Sequence, residues 1–262
     1  MLGHELAALE RTPLRRFIRR AFGSLHVGTR LLYHQTAKPL AALRLETARD
    51  VLDAGCGSGV WTLHLARRYP GVRFVGIDIN GQRLAQARAA AERLDLHNLS
   101  FRELDFREMS EAGAYDAAVS VNAIHYYGRE DVGVFGNLAR ALRPEGRFLF
   151  VGPVHSTQRL SYLRRFRHDR GYEGYTLEGI EEKLTGAGFD VQSATKAVGK
   201  LGSLAKELAW LGDPSRLWRG LLLPPVLLLE LAECCLGPRG SGNYVVVLAQ
   251  RPPEPETSAG GR

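Results

Sequence analysis

Short apolar runs and longer periodic stretches alternate along the chain. Arg49–Asp53 is an apolar run that ends in Ala54-Gly55-Cys56-Gly57-Ser58-Gly59. Ser58–Tyr69 follows with Trp61, Leu65 and Ala66 on one face, which predicts a helix. Val72–Asp78 predicts a second strand. Asn80–Leu94, rich in Ala, Arg and Gln, predicts a helix. Leu99–Leu104 and Tyr115–Val121 read as strands three and four. Glu130–Leu142 reads as a helix stopped by Pro144 and Gly146, and Arg147–Val151 as strand five. Repeated strand–helix units predict a parallel sheet with helices on both faces.

The pattern then changes. Thr176 is placed to cap a helix carrying Leu177, Ile180 and Leu184, which ends near Gly186 and Gly188. Phe189–Thr195 predicts a sixth strand and Asn243–Gln250 a seventh. Between them, Lys196–Gly240 is Leu-rich and predicted helical. Residues 252–262 are rich in Pro, Glu, Gly and Ser and are expected to be a disordered tail.

Composition narrows the class. With 45% apolar and 24% charged residues, the chain reads as neither disordered nor a disulfide scaffold. Its 262 residues suffice for one large core. Three cysteines, Cys56 and the adjacent Cys234 and Cys235, have no disulfide or zinc spacing. No metal is expected, and a reducing cytoplasm is the expected compartment. No secretory signal is read at the N-terminus. Leu217–Leu236, the most apolar window, is interrupted by Arg219, Pro224, Pro225, Glu230 and Glu233, which excludes a spanning helix.

The formal charge is +7, and residues 1–45 alone carry +6. Leu14, Phe17, Ile18, Ala21, Phe22 and Leu25 keep helical spacing, with Arg11, Arg15, Arg16, Arg19 and Arg20 on other faces. This basic amphipathic helix fits either a membrane surface or a cap packed on the sheet. Arg159–Arg170 holds five arginines against Asp169, an arrangement that suits a phosphate or carboxylate on a substrate or a solvated helix face.

The sharpest local signal is the turn after strand one. Glycine lets backbone approach a ligand where a Cβ would collide. The spacing is G-x-G-x-G, so neither the dinucleotide fingerprint G-x-G-x-x-G nor a P-loop is satisfied. Asp53-Ala54-Gly55-Cys56-Gly57-Ser58-Gly59 instead resembles motif I of the class I S-adenosylmethionine-dependent methyltransferases. Phe74–Asp78 resembles that family's second strand with its terminal acid, and Glu103–Phe106 the acidic position after strand three. Tyr115–Ser120 resembles strand four, and Leu142–Arg147 the turn into strand five. The resemblance spans roughly residues 49–154, with weaker support up to Gln250. The branch it resembles is the broad one acting on quinones, lipids and secondary metabolites.

This resemblance implies an α/β fold, a Rossmann-like, doubly wound, seven-stranded and mostly parallel sheet. Residues 1–45 would form an N-terminal helical cap. Residues 46–251 would form the methyltransferase domain, with 196–240 as a helical insertion on the acceptor side. The implied cofactor is S-adenosylmethionine, held at the C-terminal ends of the strands. Gly55, Cys56, Gly57 and Gly59 would cradle it. Asp78 would accept both ribose hydroxyls, each charge-assisted bond contributing roughly 1.5–3 kcal/mol. Ile79 would line the adenine pocket. Asp105 would accept the adenine amino group while Phe106 covers the base. Asp53 would orient the loop or meet the ammonium group through water. The backbones of Asn122 and Ala123 would contact the methionine end.

His125 is the candidate general base, with packing or capping as the alternative. Tyr126 and Tyr127 are expected either to shape the acceptor pocket or to sit in the core. The Asn/Asp-Pro-Pro-Tyr/Phe signature of many amine methyltransferases is absent. The Leu-rich insertion and the basic segments favour a small apolar or lipid-like acceptor, methylated on O or C, with peripheral membrane association as a further expectation. Nucleic acid is not expected as a partner, because no separate RNA-binding module is visible. An RNA methyltransferase and a non-catalytic binding protein on this fold stay as alternatives.

Overall fold

In the computed structural model the described residues are 31–32, 34–154, 174–211, 216–237 and 242–254. The basic amphipathic segment over residues 14–25, the Arg159–Arg170 stretch and tail residues 255–262 lie outside them.

Seven strands form one sheet in the order β3-β2-β1-β4-β5-β7-β6. They are β1 Asp50–Ala54, β2 Arg73–Asp78, β3 Leu99–Glu103, β4 Tyr115–Val121, β5 Leu142–Pro153, β6 Asp190–Ala197 and β7 Tyr244–Gln250. Strands β1 to β5 pair in parallel, and β7 is antiparallel to both β5 and β6. The α/β, mostly parallel sheet expected from the sequence is therefore present. Chain order reverses between β1 and β4, so the connections leaving those two strands diverge and open a crevice at their C-terminal ends.

Helices α1 Ala37–Ala41, α2 Val60–Arg68, α3 Gly81–Arg93, α4 Asp131–Ala141 and α5 Leu177–Gly186 flank the sheet. Alternation along β1 shows how both faces are buried. Val51 packs with Leu31, Leu45, Trp61, Leu65 and Val226 on one side, while Leu52 and Ala54 join Ile124, Phe135, Phe148 and Phe150 on the other. A strand covered on both faces reads as a continuous apolar run, which is why the period-two signal is weak here.

Capping fixes the helix starts that precede or follow the site. Asn80 Oδ1 accepts from the Arg83 N–H at 3.0 Å and starts α3 one residue later than the sequence suggests. Thr176 Oγ1 accepts from the Gly179 N–H at 3.0 Å, capping α5 as predicted. Strand β5 begins at Leu142, not Arg147, because Leu142 pairs with Tyr115 before a register shift. Strand β6 runs two residues beyond Thr195, to Ala197 paired with Tyr244. The insertion then forms α6 Lys200–Leu211 and α7 Arg216–Leu236, the latter passing through Pro224 and Pro225. It leaves and re-enters the sheet where Tyr244 pairs with Pro153, the edge at which β5 ends. No helix among the described residues is long and apolar enough to cross a membrane.

Candidate functional site

The turn after β1 is pinned to the end of β2. The N–H groups of Gly55 and Cys56 both donate to the Ile77 carbonyl, at 2.8 and 3.0 Å. Gly55, Gly57 and Gly59 all adopt positive φ, at 85°, 55° and 77°. A side chain is excluded at Gly55 for a second reason, since its Cβ would run into the Ala123 side chain with Phe106 just beyond. The first glycine, the turn after β4 and the turn after β3 thus meet at one point. That convergence cannot be read from spacing along the chain.

Asp78 closes the turn from the other side. Its Oδ2 accepts from the Gly57 N–H and its Oδ1 from the Asn80 N–H, both at 2.9 Å. A carboxylate offers about four lone-pair sites, so two remain for a ligand's paired hydroxyls. Ile79, next along, is 61% exposed, unusual for an isoleucine at a strand end and suited to the face of a base. Cys56 is half-buried, and burial pushes its thiol up, with Asp53 and Asp78 adding to the shift, so it is a neutral, unreactive wall.

Asp53 is buried and takes a hydrogen bond from Thr62 Oγ1 at 2.5 Å, tying β1 to α2. Burial raises its carboxyl from 3.8 to about 7, with Thr62 opposing and the nearby Asp78 reinforcing the shift. Ser120 Oγ donates to the Ala54 carbonyl at 2.8 Å and locks the ends of β1 and β4 together. Asn122 follows with φ 56°, a left-handed conformation that turns the chain out of the sheet.

The far side of the crevice differs from expectation. Asp105 Oδ1 accepts from the Arg107 N–H at 2.9 Å and the Tyr127 hydroxyl at 3.0 Å, and its Oδ2 accepts from Arg107 Nη2 at 2.7 Å. Those Arg107 hydrogen bonds hold its carboxyl down at about 2. The carboxylate is therefore engaged within the protein. Tyr127, read from the sequence as shaping the acceptor pocket or sitting in the core, stands on Asp105 and against Phe106, ring centroids 5.5 Å apart, with the Arg107 guanidinium 5.6 Å above its ring. The sequence reading did not single out Arg107; its signal was a basic residue two positions after the acid in a turn.

His125 and Tyr126 sit in the 3-10 segment Ile124–Glu130. His125 is 3% exposed and Tyr126 is 53% exposed, and their rings lie 4.3 Å apart. Tyr126 is thus the side chain open to solvent, with the imidazole behind it. Gly128 breaks the segment with φ 56° and ψ −119°, a combination open only to glycine.

Residues 51–146 match the family model described as "Methyltransferase domain". A fatty-acid O-methyltransferase of Mycolicibacterium smegmatis is 34% identical over 120 residues, 46% of this chain and 41% of that enzyme. The chain thus spans under half the length of that curated relative. Among solved structures, a putative sarcosine dimethylglycine methyltransferase from Galdieria sulphuraria superposes with a TM-score of 0.64 at 17% identity, covering 90% of this chain and 97% of that one. Phosphoethanolamine N-methyltransferase 2 of Haemonchus contortus, in complex with S-adenosylmethionine, gives 0.61 at 19% identity, covering 92% and 60%.

Proposed function

Since this chain carries a class I S-adenosylmethionine-dependent methyltransferase domain, with S-adenosylmethionine as its cofactor, we propose that the protein methylates a small, apolar or lipid-like acceptor on oxygen or carbon. The observation that carries the cofactor reading is the turn at Gly55–Gly59, with glycine at its three positive-φ positions, facing a carboxylate with two acceptor sites in reserve. The similarity to a fatty-acid O-methyltransferase and the Leu-rich insertion at the crevice edge support the acceptor class. Peripheral attachment to a membrane suits such an acceptor.

In this reading Asp78 takes the ribose hydroxyls and Ile79 lies against the base. The Phe106 ring, expected to cover the base, is 3% exposed and packed in the core, so only its backbone is left for that edge. The backbones of Gly55, Asn122 and Ala123 line the methionine end. Asp105 acts on the adenine side through its Arg107 and Tyr127 partners. Bound S-adenosylmethionine supplies a methyl group on a sulfonium, a leaving group that needs no acid. What remains for the chain is to align the acceptor and keep water out. Tyr126 is the acceptor-facing side chain. His125 removes a proton from a hydroxyl acceptor through an imidazole nitrogen. A carboxylate acceptor is already ionised near neutral pH and needs no base.

The test incubates the purified protein with methyl-labelled S-adenosylmethionine and, separately, a fatty acid, a long-chain alcohol and a lipophilic phenol. Label is expected in at least one extracted product. His125→Ala should cut transfer to a hydroxyl by about 10²–10⁴-fold and leave transfer to a carboxylate nearly unchanged. Label found only in added RNA would overturn the proposal. So would cofactor binding with no transfer to any acceptor.

A further inference from the structure

Helix α7 mixes acids with apolar side chains on its inner face, where Leu229 and Cys234 pack on the cluster that holds Val226, and leaves leucines outside. Val226, Glu230 and Glu233 are buried at 2%, 6% and 1% exposure, while Leu228 and Leu231 are 67% and 62% exposed. Pro224, Leu228, Leu231 and Cys235, at i, i+4, i+7 and i+11, form an outward stripe without a charge. An ordinary surface helix does the reverse. The inward acid has a local reason, because Glu233 accepts from the N–H groups of Gly199 and Gly202 at the start of α6 and from Gln35 Nε2. The outward leucines have no such reason within the described residues. An apolar stripe of this kind on a protein surface marks a contact.

Two observations say what the contact is. Residues 196–240 hold six basic residues against four acids, and two of those acids, Glu230 and Glu233, are the buried ones. Apart from those two buried acids the insertion's sequence holds six basic residues against two acids, and Lys200 is exposed among the described ones. Leu31, where the described chain begins, is buried against Gly202 and close to Glu233, so the arginine-rich stretch ending at Arg20 is tethered eleven residues from this helix pair. Apolar surface with excess positive charge complements an anionic lipid bilayer.

We propose that the Leu228–Leu231 face of α7 is a docking surface for an anionic membrane, with the leucines entering the headgroup boundary and the flanking basic residues meeting lipid phosphates. The insertion joins the sheet at the edge where the crevice opens, so docking brings the acceptor entrance to the bilayer. The docking itself stands independently of which acceptor is methylated.

The test is flotation of the full chain with vesicles of phosphatidylcholine alone or mixed with phosphatidylglycerol. The wild type should float with the mixed vesicles, less so at high salt. Leu228→Glu with Leu231→Glu should lower the bound fraction by about tenfold or more. Val132→Glu, an exposed site on α4 across the sheet, should not. An unchanged urea midpoint shows that each variant is folded. Equal flotation of the double variant and wild type would overturn the proposal, as would a wild type that does not float. A wild-type dimer that the double variant separates, with no flotation, would assign the face to a second copy instead.

Discussion

Asp53 brings opposed effects into one side chain. Its carboxyl is buried beside Asp78, yet it must hold Thr62 and face the end of the crevice. Its folded value, about 7, lies above its unfolded value, so its stabilising contribution is complete below about pH 4 and is lost as pH rises through 7. The loss amounts to on the order of 4 kcal/mol by pH 8. Asp53→Asn should therefore flatten the fall in urea midpoint between about pH 5 and pH 8, and should leave the variant the more stable of the two at the alkaline end. A parallel fall in both proteins would remove Asp53 as the source. The sequence shows this residue as the first letter of a motif, but its burial and its pairing with Thr62 nine residues on are tertiary facts. Asp105 makes the same point. Its place after strand three is legible, whereas its engagement by Arg107 and by Tyr127, twenty-two residues away, is set by how two turns meet.

At the scale of elements, periodicity located the strands and helices because apolar runs and capping residues are local signals. The ends moved where pairing overrides them, as at Leu142 and Ala197. The insertion was legible as helical and Leu-rich, but the direction of α7 was not. Composition alone would point its leucines inward. The carboxylate of Glu233 turns the helix by capping α6, since the N–H groups of Gly199 and Gly202 would otherwise be buried without it. Glu233→Ala should then cost about 2–6 kcal/mol of unfolding free energy, one to three for each of the two buried donors left unpaired. Hydrogen exchange should rise first in α6, with cofactor affinity retained. Unchanged exchange at α6 would show that the cap carries no load.

For the whole molecule, the topology does what no single residue can. Reversal between β1 and β4 brings the Gly55 turn, Asp78, Ala123 and Phe106 to one crevice, though together they span about seventy residues of chain. The insertion adds an exposed apolar stripe, Leu228 and Leu231, and joins the sheet on the same edge. The central claim is that this crevice holds S-adenosylmethionine on Asp78. Its most direct test is calorimetric titration of S-adenosylhomocysteine into the wild type and Asp78→Ala. The account predicts saturable one-to-one binding by the wild type, weakened by about tenfold or more in the variant with its urea midpoint little changed. Equal affinity in the two proteins, or no binding by the folded wild type, would contradict it.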